Sequence, residues 1–326
     1  YDAHGFNTEL GSPSVPTAAS MRKMMPEADL WPISDTWHYH DLLNGLEEYI
    51  GAVDRLYGKA ESLDDFCRKV QFINYDSYRA MFESWNSRLW GDASGVLLWM
   101  SHPAWPSVEW QTYSWDYETF GSYYGSRKAC EPVHVQMNLD DHDVVVLNTT
   151  TSPLADLMVT MTCHDLAGKK ISAKTVKDVD VPANSRVDLF RAELDGIKGN
   201  FMVRLVLSDR KGKVITVNDY MMRGEGTEDF TAFNSVGKAE VKARRLSSKN
   251  QSVQRFEITN TSRNIAMNLK FNFRNPETGE IILPAYFSDG YFHLLPGEKR
   301  TLEVRSASTG AITVEGYNVD NTTLKL

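Results

Sequence analysis

Gly5-Phe6-Asn7-Thr8-Glu9-Leu10-Gly11 is a brief apolar run bounded by glycine, with a carboxylate near its C-terminal end. Its brevity, its glycine boundaries and the helix-forming sequence that follows make it read as a buried parallel strand. Gly95-Val96-Leu97-Leu98-Trp99-Met100 has the same character. Between the two, apolar residues recur at three- and four-residue steps. Leu42, Leu43, Leu46, Ile50, Val53, Leu56 and Tyr57 make one helical face. Ser62-Leu63-Asp64-Asp65 then reads as a capping-box-like start, and Leu63, Phe66, Val70, Ile73, Met81, Phe82 and Trp85 extend a long helix behind it. Strand, helices, strand, helix predicts part of an α/β barrel. A carboxylate at the C-terminal end of a barrel strand faces the open side, where loops build a site. Spacing alone leaves two readings of Glu9 open: a catalytic carboxylate, or a solvated loop residue or helix cap.

After Pro132 the period changes to two. Leu157, Val159, Met161 and Cys163 alternate with Met158, Thr160 and Thr162, and Phe201, Val203, Leu205 and Leu207 alternate with Met202, Arg204 and Val206. Ala167-Gly168-Lys169-Lys170 and Asp209-Arg210-Lys211-Gly212 read as turns, and Arg223-Gly224-Glu225-Gly226-Thr227-Glu228-Asp229 as a linker. Beyond it the alternation recurs: Met267, Leu269, Phe271 and Phe273 face one way while Asn268, Lys270 and Asn272 face the other. The fold class is therefore multidomain, α/β followed by all-β. Residues 1–132 form the α/β part, and 133–226 and 227–326 form two β-sandwiches of immunoglobulin-like size.

A formal net charge of -8 and the lack of a basic stripe argue against a nucleic-acid partner. No apolar run reaches the roughly 20 residues that span a bilayer. Cys67, Cys130 and Cys163 are odd in number and lack CxxC spacing, so they read as buried small hydrophobes rather than a metal site or disulfide frame. His38 and His40 at i, i+2 lack the spacing of a helical zinc motif, and no metal is expected. Four Asn-x-Ser/Thr triplets, at Asn148, Asn250, Asn260 and Asn321, are too common in such sequences to carry meaning. The opening Tyr1-Asp2-Ala3-His4 has neither Met nor signal-peptide character, which suggests a piece of a larger chain. Trp31, Trp37, Trp85, Trp90, Trp99, Trp105, Trp110 and Trp115 all fall in the first segment. So many suit a carbohydrate-lined cleft, with core packing as the rival.

Glu9 in its strand, Ser62-Leu63-Asp64-Asp65-Phe66-Cys67, Tyr78-Arg79-Ala80-Met81-Phe82-Glu83, Gly95-Val96-Leu97-Leu98-Trp99-Met100 with Ala104-Trp105-Pro106-Ser107, Gly121-Ser122-Tyr123-Tyr124-Gly125 and Lys128-Ala129-Cys130-Glu131-Pro132-Val133-His134-Val135-Gln136 resemble, in order, the C-terminal part of glycoside hydrolase family 2. The branch is that of exo-β-D-glucosaminidases and β-mannosidases, including plant endo-β-mannosidases. The resemblance runs from Gly5 to Asn148 and is one of architecture in the last domain. It implies strands seven and eight of a (β/α)8 TIM barrel followed by two immunoglobulin-like domains, in a retaining exo-β-glycosidase acting on a terminal β-linked hexose or hexosamine. Glu9 takes the nucleophile position. No segment matches the family's strand-four acid/base pair, so the chain alone is expected to be inactive without the missing N-terminal part. Trp99 would floor the sugar subsite, and Trp37, His40, Asp41 and Trp105 would line it. Asp41 and Asp116 are candidates to pair with a sugar ammonium. An oligosaccharide or glycan substrate, no cofactor, and a secreted or periplasmic location follow from the resemblance. The rival readings are a non-catalytic carbohydrate-binding or scaffold β-sandwich protein and an inactive homologue.

Overall fold

The computed structural model describes residues 5–41, 44–250 and 252–324. Leu42 and Leu43 of the expected helical face, the opening Tyr1 to His4, and Gln251 of one Asn-x-Ser triplet lie outside these residues. Strands dominate. The helices are α1 (Ala18–Met24), α2 (Glu27–Leu30), α3 (Asp35–His40), α4 (Leu46–Tyr57), α5 (Leu63–Asn86) and α6 (Gly121–Ala129). Ser62 caps α5, its hydroxyl accepting from the Asp65 N–H at 3.2 Å, while the Asp65 carboxylate reaches back to the Glu61 N–H at 3.1 Å. Two compact units result, each assembled from three stretches: 1–11, 76–100 and 125–230 in the first, and 12–75, 101–124 and 231–326 in the second.

In the first unit β1 (Gly5–Leu10) and β2 (Ala93–Leu98) pair in parallel, with Phe6 opposite Gly95 and Leu10 opposite Leu98. The parallel pairing matches the expectation, and the expected burial does not. Leu10 and Ala93 pack on Tyr78, Met81 and Trp85 of α5, yet Phe6 and Leu97 are each 54% exposed. A sheet of two strands, covered on one side, leaves its alternate side chains in water.

The same unit holds a sandwich. One sheet has the order β3 (Val133–Met137), β4 (Asp143–Asn148), β7 (Ser185–Arg191). The other has the order β6 (Lys170–Val181), β5 (Leu154–Asp165), β8 (Asn200–Asp209), β9 (Val214–Arg223). Val135, Val144 and Val146 meet Val159, Cys163, Val203 and Leu205 in its core. β5 alternates as expected. β8 does not, because Met202 and Arg204 on its second face are also buried; Arg204 forks onto Asp219 with both bonds at 2.7 Å. The expected turns form around Asp165 and Asp209, whose carboxylates accept backbone N–H groups two and four residues on. The expected linker at 223–229 is instead tied down. The Gly224 and Glu225 N–H groups donate to the Gly199 and Ile197 carbonyls, and a Cβ on Gly224 would stand 2.3 Å from the Ile197 oxygen. Of the cysteines, Cys67 and Cys163 are buried as expected, but Cys130, just past the end of α6, is exposed.

Packing of α5 on this sandwich centres on a buried carboxylate. Glu83, 3% exposed, accepts from Asn218 Nδ2 at 2.7 Å and from the Tyr220 hydroxyl at 3.0 Å, and bonds His134 Nε2 at 3.0 Å. One turn earlier on the same face, Arg79 lies 4.2 Å from the centre of the Tyr220 ring and donates to the Asp219 carbonyl. His134 also faces Glu131, which is held by Lys128 at 2.7 Å and by the Thr216 hydroxyl. Burial works against the Glu131 carboxylate, but bonds from His134, Lys128 and Thr216 pull its pKa down to about 2. Burial likewise disfavours a charged His134, yet Glu131 and Glu83 together hold its pKa above the ordinary value.

In the second unit the sheets have the orders β10 (Val241–Leu246), β11 (Val253–Asn260), β15 (Lys299–Arg305), β13 (Tyr286–Phe287), and β14 (Phe292–Leu294), β12 (Ala266–Arg274), β16 (Ala311–Glu315), β17 (Thr322–Thr323). Phe256, Ile258, Leu269, Phe271, Phe273 and Val314 fill the space between them. Both faces of β12 are buried, the polar one included. Lys270 Nζ reaches Glu118 at 2.5 Å and Glu315 at 3.5 Å, and Asn272 donates to Glu315 at 3.0 Å. Three of the Asn-x-Ser/Thr triplets are turns: the Asn148, Asn250 and Asn260 side-chain oxygens accept from the hydroxyls of Thr150, Ser252 and Ser262, each at 2.7 Å, and the amide nitrogens of Asn148 and Asn260 are spent on backbone carbonyls.

Glu83→Ala strands Asn218, Tyr220 and His134 without their acceptor and should cost about 3–5 kcal/mol in urea unfolding. Glu131 has a depressed folded pKa, so its stabilisation is complete above its unfolded value of 4.5 and is lost as pH falls toward about 2. The urea midpoint should therefore fall steeply across that window, and less so in Glu131→Gln; equal slopes would contradict the assignment.

Candidate active site

Glu9 occupies the last turn of the pleat before Leu10 closes β1, and its side chain is exposed. Its N–H donates to Asn7 Oδ1 at 2.9 Å, which fixes the local backbone. Across the parallel pair the Trp99 N–H donates to the Leu10 carbonyl at 2.9 Å, so Trp99 follows β2 at the strand end where Glu9 stands on β1. Trp99 is 37% exposed, and the Trp99–Met100 peptide is cis. Carboxylate and indole thus share the C-terminal edge of two neighbouring parallel strands, the edge from which α/β folds build sites.

The other expected site residues belong to the second unit. Trp37 is 0% exposed. Its indole N–H donates to the Leu30 carbonyl at 3.1 Å and its ring meets Phe66 edge-on at 5.8 Å. That corrects its expected lining role: with its surface covered and its polar atom spent, Trp37 is core. Asp41 is buried as well, and its two oxygens accept from the Gly45 and Leu46 N–H groups at 3.3 and 3.1 Å. It caps α4, whose cap residue Gly45 has no side chain to do so, and its expected roles toward sugar hydroxyls or an ammonium give way to that bond. Asp116 is spent too, on Lys23 at 2.8 Å and on Ser20 and Ser114. Burial would raise its pKa, but these donors hold it below the ordinary value.

His40 and Trp105 come together. Their rings stack at 5.4 Å, His40 Nδ1 lies 2.6 Å from the Pro106 carbonyl, and Tyr39, 73% exposed, stands edge-on to both. Tyr39 was missed by sequence reasoning, although it sits inside Trp37-His38-Tyr39-His40-Asp41. Glu109 was missed for a better reason. Its carboxylate accepts from the Gly45 N–H at 2.8 Å, a contact across 64 positions that no local spacing announces. Of the tryptophans, Trp37 and Trp85 are core, while Trp90 and Trp99 are exposed. Among the described residues no group of three or more His, Cys, Asp or Glu is placed to hold a metal ion, and no helix is long and apolar enough to cross a membrane.

The chain is similar to known glycoside hydrolases. Residues 140–223 match a mannosidase Ig/CBM-like domain, and residues 219–319 match an exo-β-D-glucosaminidase Ig-fold domain. The sequence likeness therefore extends into the last domain, where likeness of architecture alone was expected. A mannosylglycoprotein endo-β-mannosidase of Lilium longiflorum is 28% identical over 97% of this chain and 42% of its own length. An exo-β-D-glucosaminidase of Streptomyces avermitilis is 28% identical over 99% of this chain and 40% of its own. The crystal structure of Amycolatopsis orientalis exo-chitosanase CsxA superposes with a TM-score of 0.89 at 26% identity, over 98% of this chain and 42% of that one. The chain spans about two fifths of the length of the curated relatives it matches.

If Asp41 is a helix cap, Asp41→Ala should lower stability by about 1 kcal/mol in thermal or urea unfolding. Sugar affinity should not change, and a large loss of affinity at unchanged stability would restore the binding role.

Proposed function

We propose that the chain, which resembles the C-terminal part of glycoside hydrolase family 2, supplies the nucleophile half of a retaining exo-β-glycosidase site. In this reading β1 and β2 are strands seven and eight of a (β/α)8 barrel within residues 1–132, followed by immunoglobulin-like domains over 133–226 and 227–326. One observation carries it: an exposed carboxylate ends a parallel strand beside a strand that runs into Trp99, in a chain that matches exo-β-D-glucosaminidases nearly end to end.

Glu9 attacks the anomeric carbon from one face of the sugar. As the C1–O bond to the leaving group breaks, a carboxylic acid on the opposite face gives that oxygen its proton, and Glu9 is left as a glycosyl ester. Water, deprotonated by the same acid/base group, then attacks C1 and frees Glu9. Two such carboxyls stand about 5 Å apart in retaining enzymes. The second would come from sequence outside this chain, together with strands one to six, so the 326 residues alone should turn nothing over. The Glu9 side chain is exposed at the strand end, where a sugar can approach it. Trp99 offers an apolar face to the C–H face of a pyranose, and His40 and Trp105 are the retained lining candidates. The substrate is a glycan ending in a β-linked hexose or hexosamine, consistent with the names of the relatives, and the enzyme acts outside the cytoplasm without a cofactor.

In the full-length protein, Glu9→Gln should lower kcat on the cleaved nitrophenyl β-glycoside by at least about 10³-fold with folding unchanged. Glu9→Ala with azide should regain turnover and release the glycosyl azide of opposite anomeric configuration. Full activity in Glu9→Gln would make Glu9 a structural loop residue.

A further inference from the structure

The second unit contains a cavity of about 440 Å³, within the range of small-molecule sites. It lies between helical residues of α1 and α5 and the strands β12 and β16. Three features set it apart. First, Tyr291 lines it at 3% exposure, and its buried hydroxyl has no hydrogen-bond partner among the described residues. A buried phenol normally finds a partner. Second, two lining residues that are not glycine, Asn268 and Tyr291, hold φ values of 54° and 57°. Left-handed backbone at such residues is costly and concentrates where a ligand is gripped.

Third, the charges on the wall cancel locally. Arg22 donates to Asp64 at 3.0 Å, Arg68 to Asp65 at 2.5 Å, and Lys270 to Glu118 and Glu315. Arg274 is spent on the Thr313 hydroxyl and the Gly279 carbonyl, and Asp320 faces Lys238. An anion would have to displace a carboxylate from a cation already satisfied, and an apolar molecule would strip water from charged groups without replacing it. A neutral molecule dense in hydroxyls can do both jobs at once, donating to a carboxylate and accepting from a guanidinium. Such a molecule is a saccharide.

We infer that this cavity is a second saccharide-binding site, holding one or two pyranose units of a glycan through the fixed acid–base pairs and the Tyr291 hydroxyl. The choice of β-linked sugars as ligand rests on the glycosidase reading above; the cavity and its chemistry do not.

The test is calorimetric titration of the full-length protein carrying Glu9→Gln with the β-1,4-linked disaccharides of glucosamine and of mannose. Two binding events per chain are expected for one of them. Tyr291→Phe, which removes only a hydroxyl, and Asn268→Gly, which suits a positive φ, should each weaken one event about five- to tenfold, leaving the other event and the melting temperature unchanged. A single event, or two events that neither substitution alters, overturns the inference. Turnover by the unsubstituted protein reports on Glu9 independently, so turnover with one binding event sinks the cavity alone, whereas two events without Glu9-dependent turnover sink the catalytic reading alone.

Discussion

A carboxylate sealed from water must be matched by donors, and Glu83 is matched by side chains from two strands. His134 comes from β3, while Asn218 and Tyr220 sit two positions apart on one face of β9. The Tyr220 hydroxyl is engaged again by the Met137 N–H at 2.9 Å, and its ring belongs to the sandwich core. Nothing can shift in this cluster without leaving a buried charge short of a partner. The penalty for that exceeds the gain from most single apolar contacts. Register between the second half of α5 and the first sandwich is therefore set by polar matching, and the apolar core fills in around it. Because the other face of the same half-helix supports β1 and β2 through Tyr78, Met81 and Trp85, the strand that carries Glu9 inherits its position from Glu83.

The second unit repeats the device with the sign reversed. Lys270 is a buried cation on a strand, and Glu118 from the loop before α6 meets it. Thr17 and Ser20, at the cap and first turn of α1, complete the shell of Glu118 with hydroxyl donors at 2.6 and 2.8 Å. In both units a helical or loop segment is keyed to a sandwich by one buried ion whose hydrogen-bonding capacity is almost fully used. Such ions add less stability than specificity, since a wrong register would expose the same charge to an apolar wall.

The β1–β2 pair stands out because its apolar side chains are not consumed. Phe6, Leu97 and Trp99 remain exposed on a two-stranded parallel sheet, in a chain that spans about two fifths of its relatives. A parallel pair ordinarily lies inside a larger sheet covered on both faces. Glu9 and Trp99 are thus held where their strands end, with open surface around them.

Much was legible in the sequence, for definite reasons. Parallel strands around Glu9 and Trp99, the capped α5 and the alternation of β5 all follow from local rules: glycine boundaries, a Ser-x-x-Asp cap and a period of two. The motif that carried the resemblance contained Arg79, Glu83, His134 and Gln136, yet nothing in their spacing said that they meet. Trp37, Asp41 and Asp116 looked like ligand-binding types, and the fold spends them on a core, a helix cap and a lysine. The alternation along β12 reports only that two faces differ, not that the polar one is buried as well. Periodicity and turn chemistry, being properties of neighbouring residues, determined the elements and the place of Glu9 on one of them. Only the tertiary structure decided which polar side chains are already satisfied and which remain free for a ligand, because hydrogen-bond partners are supplied by residues far apart in the chain.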